Sequence, residues 1–263
     1  MKIITDIKNL YQPLQPLIRQ AGNDVRYREI LPAAALAPFI HCYWELETIR
    51  PLKTPFNYRV VADGCIDIFF ELQQPQENFV MGFCNQYTEF RLEHSFHYIG
   101  IRFLPTMFPQ LFPVNAAELS NRFEDLRAVV PSMAGFIADN IHPDHDLEQI
   151  SAMLNIHLGR LTEDRSFNAD GRLYEAIRII LQHEGTLSTE KMLDTGISPR
   201  QLRRLFEYYI GDTPKTFSKV VRFQNSLRKG AGSFDAGYYD QSHFIKDFKT
   251  FYGATPRQAQ QDR

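Results

Sequence analysis

Cysteine is scarce in this chain. There are three in 263 residues (Cys42, Cys65 and Cys84), none in a CxxC spacing. That argues against a disulfide framework or a paired-cysteine zinc site and points to free core thiols. Long apolar runs are also missing: no stretch approaches the roughly 18 residues needed to cross a bilayer. The first residues, Met1 to Asp6, contain no secretory core, so the default expectation is a cytoplasmic protein without membrane association. The chain has no GxxxxGK[ST] phosphate loop, no GxSxG elbow and no HExxH helix, which removes the usual signatures of nucleotide, acyl-transfer and zinc-hydrolase chemistry. No cofactor is expected. Glu93, His94 and His97 form the best metal candidate, but two histidines three apart on a strand face opposite ways. Asp63 and Asp67 are an acid–base candidate, although turn geometry accounts for Asp63 equally well.

What the chain does have is an uneven distribution of charge. The net charge is −2. Residues 1–168 carry 14 Lys/Arg against 20 Asp/Glu, and residues 169–263 carry 15 against 11. The segment 198–229 holds eight basic and two acidic residues. A basic stripe in an otherwise acidic protein is a candidate electrostatic footprint for phosphate.

The first part reads as β-rich. The segments 39–47, 57–62, 65–72, 78–83 and 96–103 are short and rich in β-branched and aromatic residues, as strands are. Asp63-Gly64 is a hairpin signal between two of them. Ile66, Ile68, Phe70 and Leu72 share one face. A Pro- and Phe-rich connector (105–113) follows. From about 116 the period becomes helical: Leu119, Phe123 and Leu126 fit one helix face, and Leu147, Ile150, Leu154, His157/Leu158 and Leu161 fit another. The longer stripe suits an internal core or a partner subunit equally well, so a homodimer stays open. Residues 162–171 read as a polar linker.

The strongest signal is an internal repeat. Residues 206–214 (FEYYIGDTP) and 248–256 (FKTFYGATP) share F-x-x-x-x-G-x-T-P at an offset of 42. The same register matches Ser198 with Asp240, both good helix N-caps, and Leu202 with Phe244. Two copies are too few for a solenoid. In each, a glycine (Gly196 or Gly237) makes a turn and a cap residue starts a helix. In copy one Pro199 takes the first helical position, Leu202, Leu205, Phe206 and Tyr209 are buried, and Gly211 ends the helix. Pro214 then opens a long helix to about Arg228. Ser188 caps a short preceding helix, 189–195. This is the helix-turn-helix pattern, whose second helix enters the DNA major groove.

In copy one Arg200, Arg203 and Arg204 fall on the outward stripe, with Gln201 beside them and Lys215 and Lys219 on the long helix as phosphate candidates. The matching outward positions of copy two are Ser242, Ile245 and Lys246, with Gln241 and His243 nearby. Residues 230–263 are net neutral, so copy two attracts phosphate less. Lys229-Gly230-Ala231-Gly232 disfavours helix. Only Ser233 remains to cap the supporting helix of copy two, which is therefore expected to be short.

Residues 172–259 resemble the AraC/XylS-type DNA-binding domain. The resemblance rests on ISPRQLRRLFEYYIGDTPKTFSKVVRFQNSL (197–227) and GYYDQSHFIKDFKTFYGATP (237–256). It implies two recognition helices in successive major-groove segments. By position it assigns base contacts to Arg200, Arg203 and Arg204, and to Ser242, Ile245 and Lys246, with a structural role for Arg222. Residues 28–126, around WELE, VADGCIDIFFEL and IGIRFLP, resemble the β-rich cupin-like domain on one branch of that family, which implies a sensor or dimerisation module.

The expected fold is thus α+β and multidomain. Residues 1–115 form a β-rich barrel or sandwich, and 116–168 form a helical connector with a potential dimerisation helix. Residues 169–263 form an all-α domain with two helix-turn-helix units joined by a long helix. The expected function is a sequence-specific transcription regulator of double-stranded DNA, answering to an unidentified small-molecule effector. The alternatives are a relative with impaired DNA binding that acts as a protein partner, and a small-molecule-binding enzyme.

Overall fold

The computed structural model describes residues 7–15, 24–163, 167, 170–187, 193, 195–230, 238 and 240–261. The strands are β1 (Val25–Ile30), β2 (Ile40–Thr48), β3 (Phe56–Val60), β4 (Ile66–Glu71), β5 (Gln74–Met81), β6 (Thr88–Leu92), β7 (His97–Phe103) and β8 (Phe123–Asp125). Six form an antiparallel sheet in the order β1-β2-β7-β4-β5-β8, and β3 pairs with β6 in a separate two-stranded layer. All five expected strands form. Strands β1, β6 and β8 were not expected; they are short, exposed at many positions and dense in charge.

The large sheet is buried on both faces, and period-2 alternation decides what each face meets. Ile66, Ile68 and Phe70 of β4 lie with Ile99, Ile101 and Phe103 of β7 in a core that continues into the helices. The opposite face carries Trp44 and Leu46 of β2 against Tyr58 and Leu92 of the small layer. Leu72 is also buried.

Two local expectations are corrected. Asp63-Gly64 is not a hairpin turn: Gly64 has φ +73°, but β3 and β4 belong to different sheets, and the turn carries the chain from one layer to the other. Its conformation is set by tertiary partners. Asp63 Oδ1 accepts from the Cys65 amide at 3.0 Å, and its main-chain oxygen accepts the Tyr11 hydroxyl. Nor do Leu119, Phe123 and Leu126 share a helix. Ala116–Leu119 is a 3₁₀ turn, Asn121 takes φ +60°, and Phe123–Asp125 leaves to pair with β5 as β8. Sheet pairing outweighs the helical spacing, and Phe123 ends up 46% exposed.

The helices are α1 (Met107–Leu111), α2 (Leu126–Val129), α3 (Pro131–Asn140), α4 (Leu147–Glu163), α5 (Gly171–Gln182), α6 (Pro199–Tyr209), α7 (Pro214–Arg228), α8 (Gln241–Tyr252) and α9 (Pro256–Gln261). The stripe of α4 is spent inside the chain: Leu147, Ile150, Leu154 and Leu158 are fully buried, and His157 stacks on Phe136 of α3 at 3.8 Å between ring centroids. Within the polar linker, Phe167 packs on Phe39 at 4.6 Å.

Candidate nucleic-acid interface

The sequence repeat is a repeat of structural roles. In copy one Ser198 caps α6: its Oγ accepts from the Gln201 amide at 3.3 Å, and Gln201 Oε1 returns to the Ser198 amide, which completes a capping box. In copy two Asp240 caps α8 by accepting from the His243 amide at 2.8 Å. Leu202 and Phe244 are buried at matching positions, as are Phe206 and Phe248. Gly211 and Gly253 end the two helices at φ +106° and +86°. Thr213 then caps α7 through the Thr216 amide, and Thr255 caps α9 through the Gln258 amide. Each T-P pair is therefore an N-cap followed by proline at the first helical position.

That frame decides which side chains face outward. With Leu202 and Phe206 buried, Arg200, Arg203 and Arg204 are exposed together on α6. Gln201 is exposed but turned back into the capping box. Arg203 Nε bonds Glu207 Oε1 at 2.9 Å along the helix, and both groups are largely solvated, so the pair is worth roughly 0–1 kcal/mol and yields readily to another acceptor. On α8, Gln241, Ser242 and Lys246 are exposed, and Ile245 presents an apolar side chain at 38% exposure.

Three basic residues converge on buried Asp247 of α8. Arg222 Nη2 lies 3.2 Å from its carboxylate, His243 Nε2 3.6 Å and Lys219 Nζ 3.8 Å. Arg222 also stacks over the Tyr238 ring at 4.1 Å. Arg222 thus ties α7 to α8 and is structural. Lys219 and His243 share that anchor, whereas Lys215 is exposed on the first turn of α7. The expected helix 189–195 and its Ser188 cap lie outside the described residues except for Leu193 and Thr195, and the short segment with Ser233 before Gly237 lies wholly outside them.

The β-rich part seats both repeat turns. Ser120 Oγ donates to the Gly211 carbonyl, and Asn85 Nδ2 donates to Asp212 at 3.0 Å. In copy two the Ala62 amide donates to Phe251 O, and the Tyr87 amide to Thr250 O, both at 3.1 Å. An open groove of about 660 Å³ runs beside α6 and is lined by Gln201, Arg204 and Tyr208 together with Asn115 and Arg172.

The metal and acid–base candidates resolve differently. His94 Nδ1 contacts the Leu52 carbonyl at 2.7 Å, while His97 Nε2 bonds Glu45 at 2.9 Å, so the structure does not bring them together. Glu45, Glu47 and His97 do cluster, but Arg28 and Arg26 already pair the two carboxylates. Burial drives Glu45 upward, yet hydrogen bonds from His97 and Arg28 hold it at about 2. Asp63 and Asp67 flank the buried Arg102 at 3.4 and 3.0 Å and form an ion-pair cluster. All three cysteines are free and buried.

The geometry defines a β-rich domain joined to a repeated pair of capped helices, each pair linked by a glycine-ended turn. Comparison with known proteins agrees: residues 194–262 match a family described as a helix-turn-helix domain, and residues 28–125 match a family described as a domain of unknown function (DUF6597). The C-terminal part is an AraC-type helix-turn-helix domain, and the protein is a DNA-binding transcription regulator. Among solved structures, ToxT from Vibrio cholerae O395 is 11% identical, with 91% of this chain and 98% of that chain covered and a TM-score of 0.41. An apo lysine-to-alanine variant of ToxT from Vibrio cholerae is 12% identical, with 81% and 96% covered and a TM-score of 0.42. No curated protein matches the chain in sequence.

Proposed function

We propose that the chain reads a specific duplex site mainly through α6, with Arg200, Arg203 and Arg204 at base edges. The observation that supports this is their joint exposure on a capped helix whose opposite face is locked into the core. Arginine pairs bidentately with guanine, at roughly 1–3 kcal/mol of discrimination per good contact. Lys215 and Lys219 supply phosphate contacts that position the helix. On α8, Gln241, Ser242, His243 and Lys246 make the second, weaker set, and Ile245 suits a thymine methyl group. Residues 1–115 act as a sensor or dimerisation domain, 116–168 as connector and 169–263 as the reader. Occupancy of the first part changes how the third is presented to DNA.

The test is selection from random duplexes with the full chain, followed by titration of the enriched site at two salt concentrations. The expected result is one enriched motif whose affinity falls steeply with salt, as counterion release requires. A folded protein that enriches no site would overturn the reading.

A further inference from the structure

Between the large sheet and the β3–β6 layer lies a partly open cavity of about 70 Å³. That exceeds the roughly 10–15 Å³ one water needs and suits a ligand of about one ring. Its walls are mostly apolar and aromatic, with Trp44, Tyr58, Phe69 and Phe90 among them, and its charged groups are Asp67 and Arg102. The Arg102 side chain is 3% exposed. Its Nε and Nη2 bond Asp67 at 3.0–3.3 Å. Its Nη1 is buried without a hydrogen bond and lies 3.7 Å from Glu29, beyond bonding reach. A buried guanidinium N–H left unmade is costly, so the site lacks one acceptor.

The charges around it limit what that acceptor is. Arg102 already has three carboxylates within 4 Å, from Asp63, Asp67 and Glu29. A further anion would enter a cluster with excess negative charge. A cation would find Asp67 already accepting from Arg102 and from Trp44 Nε1 at 2.9 Å. A neutral carbonyl oxygen meets neither obstacle. We infer that this cavity is an effector site for a small neutral carbonyl compound with a compact apolar or aromatic body, its oxygen accepting from Arg102. The inference rests on reading the β domain as a sensor. The link to the reader is short. Arg102 contacts Asp63 at 3.4 Å, Gln15 Nε2 donates to the Asp63 carboxylate at 2.8 Å, and the preceding carbonyl, of Ala62, is held by Gln224 of α7 at 2.7 Å.

Trp44 is the one tryptophan of the chain, so its emission reports on this cavity alone. The full-length protein is titrated with cyclohexyl methyl ketone and, separately, with cyclohexanecarboxylate, which has the same body and an anionic head. The ketone is expected to give a saturable change, with the carboxylate at least tenfold weaker. Val60→Phe and Met81→Phe fill the cavity from opposite layers, and each is expected to weaken the ketone at least tenfold in folded protein. No saturation would mean that Arg102 is served by water only and would overturn the site. Equal or tighter carboxylate binding would overturn the ligand class without depending on any variant. Operator affinity is then measured with and without ketone. A shift of threefold or more supports the coupling, while saturation with unchanged operator affinity keeps the site and overturns the sensor reading.

Discussion

Gln224, at the middle of the long helix α7, donates from Nε2 to the main-chain oxygen of Ala62 at 2.7 Å. Its Oε1 accepts from the Leu14 amide at 2.8 Å. One buried side chain therefore joins the helix linking the two DNA-reading units to the turn between β3 and β4 and to the N-terminal segment. Arg228 adds a bond to the Gln12 carbonyl at 2.9 Å. Gln224→Leu leaves the Ala62 carbonyl and the Leu14 amide without these partners. An unsatisfied buried polar group costs about 1–3 kcal/mol, so urea unfolding should register a loss of at least that size. Both parts should unfold in one transition, because their apolar core is continuous.

Gly211 and Gly253 occupy the same place in the repeat, and both turns sit against the β-rich part. A Cβ on Gly211 would fall 2.7 Å from Ser120 Oγ and 3.0 Å from Phe83 Cβ. A Cβ on Gly253 would meet the Tyr87 ring at 2.9 Å and the flexible Arg59 side chain at 3.0 Å. A Cβ on Gly196, with φ +74°, would meet nothing within 4 Å among the described residues. Gly196→Ala should thus cost only the left-handed backbone term, about 1–2 kcal/mol. Gly253→Ala should cost more, and Gly211→Ala, whose obstruction includes less yielding atoms, most. Thermal denaturation of the three variants gives the order, and a Gly196→Ala variant as destabilised as Gly211→Ala would contradict the seating of that turn.

These glycines show what was legible in the sequence. Their positive φ followed from their place after a buried phenylalanine and before T-P, because helix termination is a local requirement. That both would rest on the β-rich part followed from nothing local, since their contacts lie far away in the chain. The same division runs through the fold. The apolar strands β2, β4, β5 and β7 announced themselves, as did the stripe of α4. β1, β6 and β8 did not, because their charged residues are carried on edge or covering strands that pairing, not composition, defines. The joint exposure of Arg200, Arg203 and Arg204 on one helix face was legible from period 3.6. The anchoring of Lys219 and His243 on Asp247, and the Arg102 cluster, required residues that only tertiary structure brings together.

His41 should impose a pH dependence of its own. Burial, reinforced by the nearby Arg102 charge, lowers it from 6.5 to about 4. A histidine so depressed is neutral in the fold while the unfolded chain takes up a proton. Its contribution to stability is therefore present above about pH 6.5 and lost as pH falls toward 4, by about 3 kcal/mol in all. Asp67, raised by burial to about 6 against the pull of Arg102, works the other way, losing stability as pH rises through 6. The wild-type curve sums the two, so the informative quantity is its difference from His41→Gln. Relative to that variant, wild type should lose stability steadily from pH 6.5 to 4. A difference independent of pH would place the His41 titration near its ordinary value.

Arg203 and Lys215 should fail in different ways. Arg203 lies on the exposed stripe of α6, and among the described residues it is held only by a solvated contact with Glu207. Arg203→Ala should therefore leave stability within about 1 kcal/mol of wild type. As a base reader it should cost about 1–3 kcal/mol of specific affinity and relax the preference at one base pair. Lys215, exposed at the start of α7, serves phosphate in this reading. Lys215→Ala should weaken specific and nonspecific duplexes alike and reduce the salt slope by about 1. Binding of both variants to the selected site, to single-base variants of it and to unrelated DNA separates the two behaviours. If Arg203→Ala lost affinity evenly across all duplexes with its base preferences intact, Arg203 would be a phosphate contact, and α6 would lie across the backbone rather than in the groove.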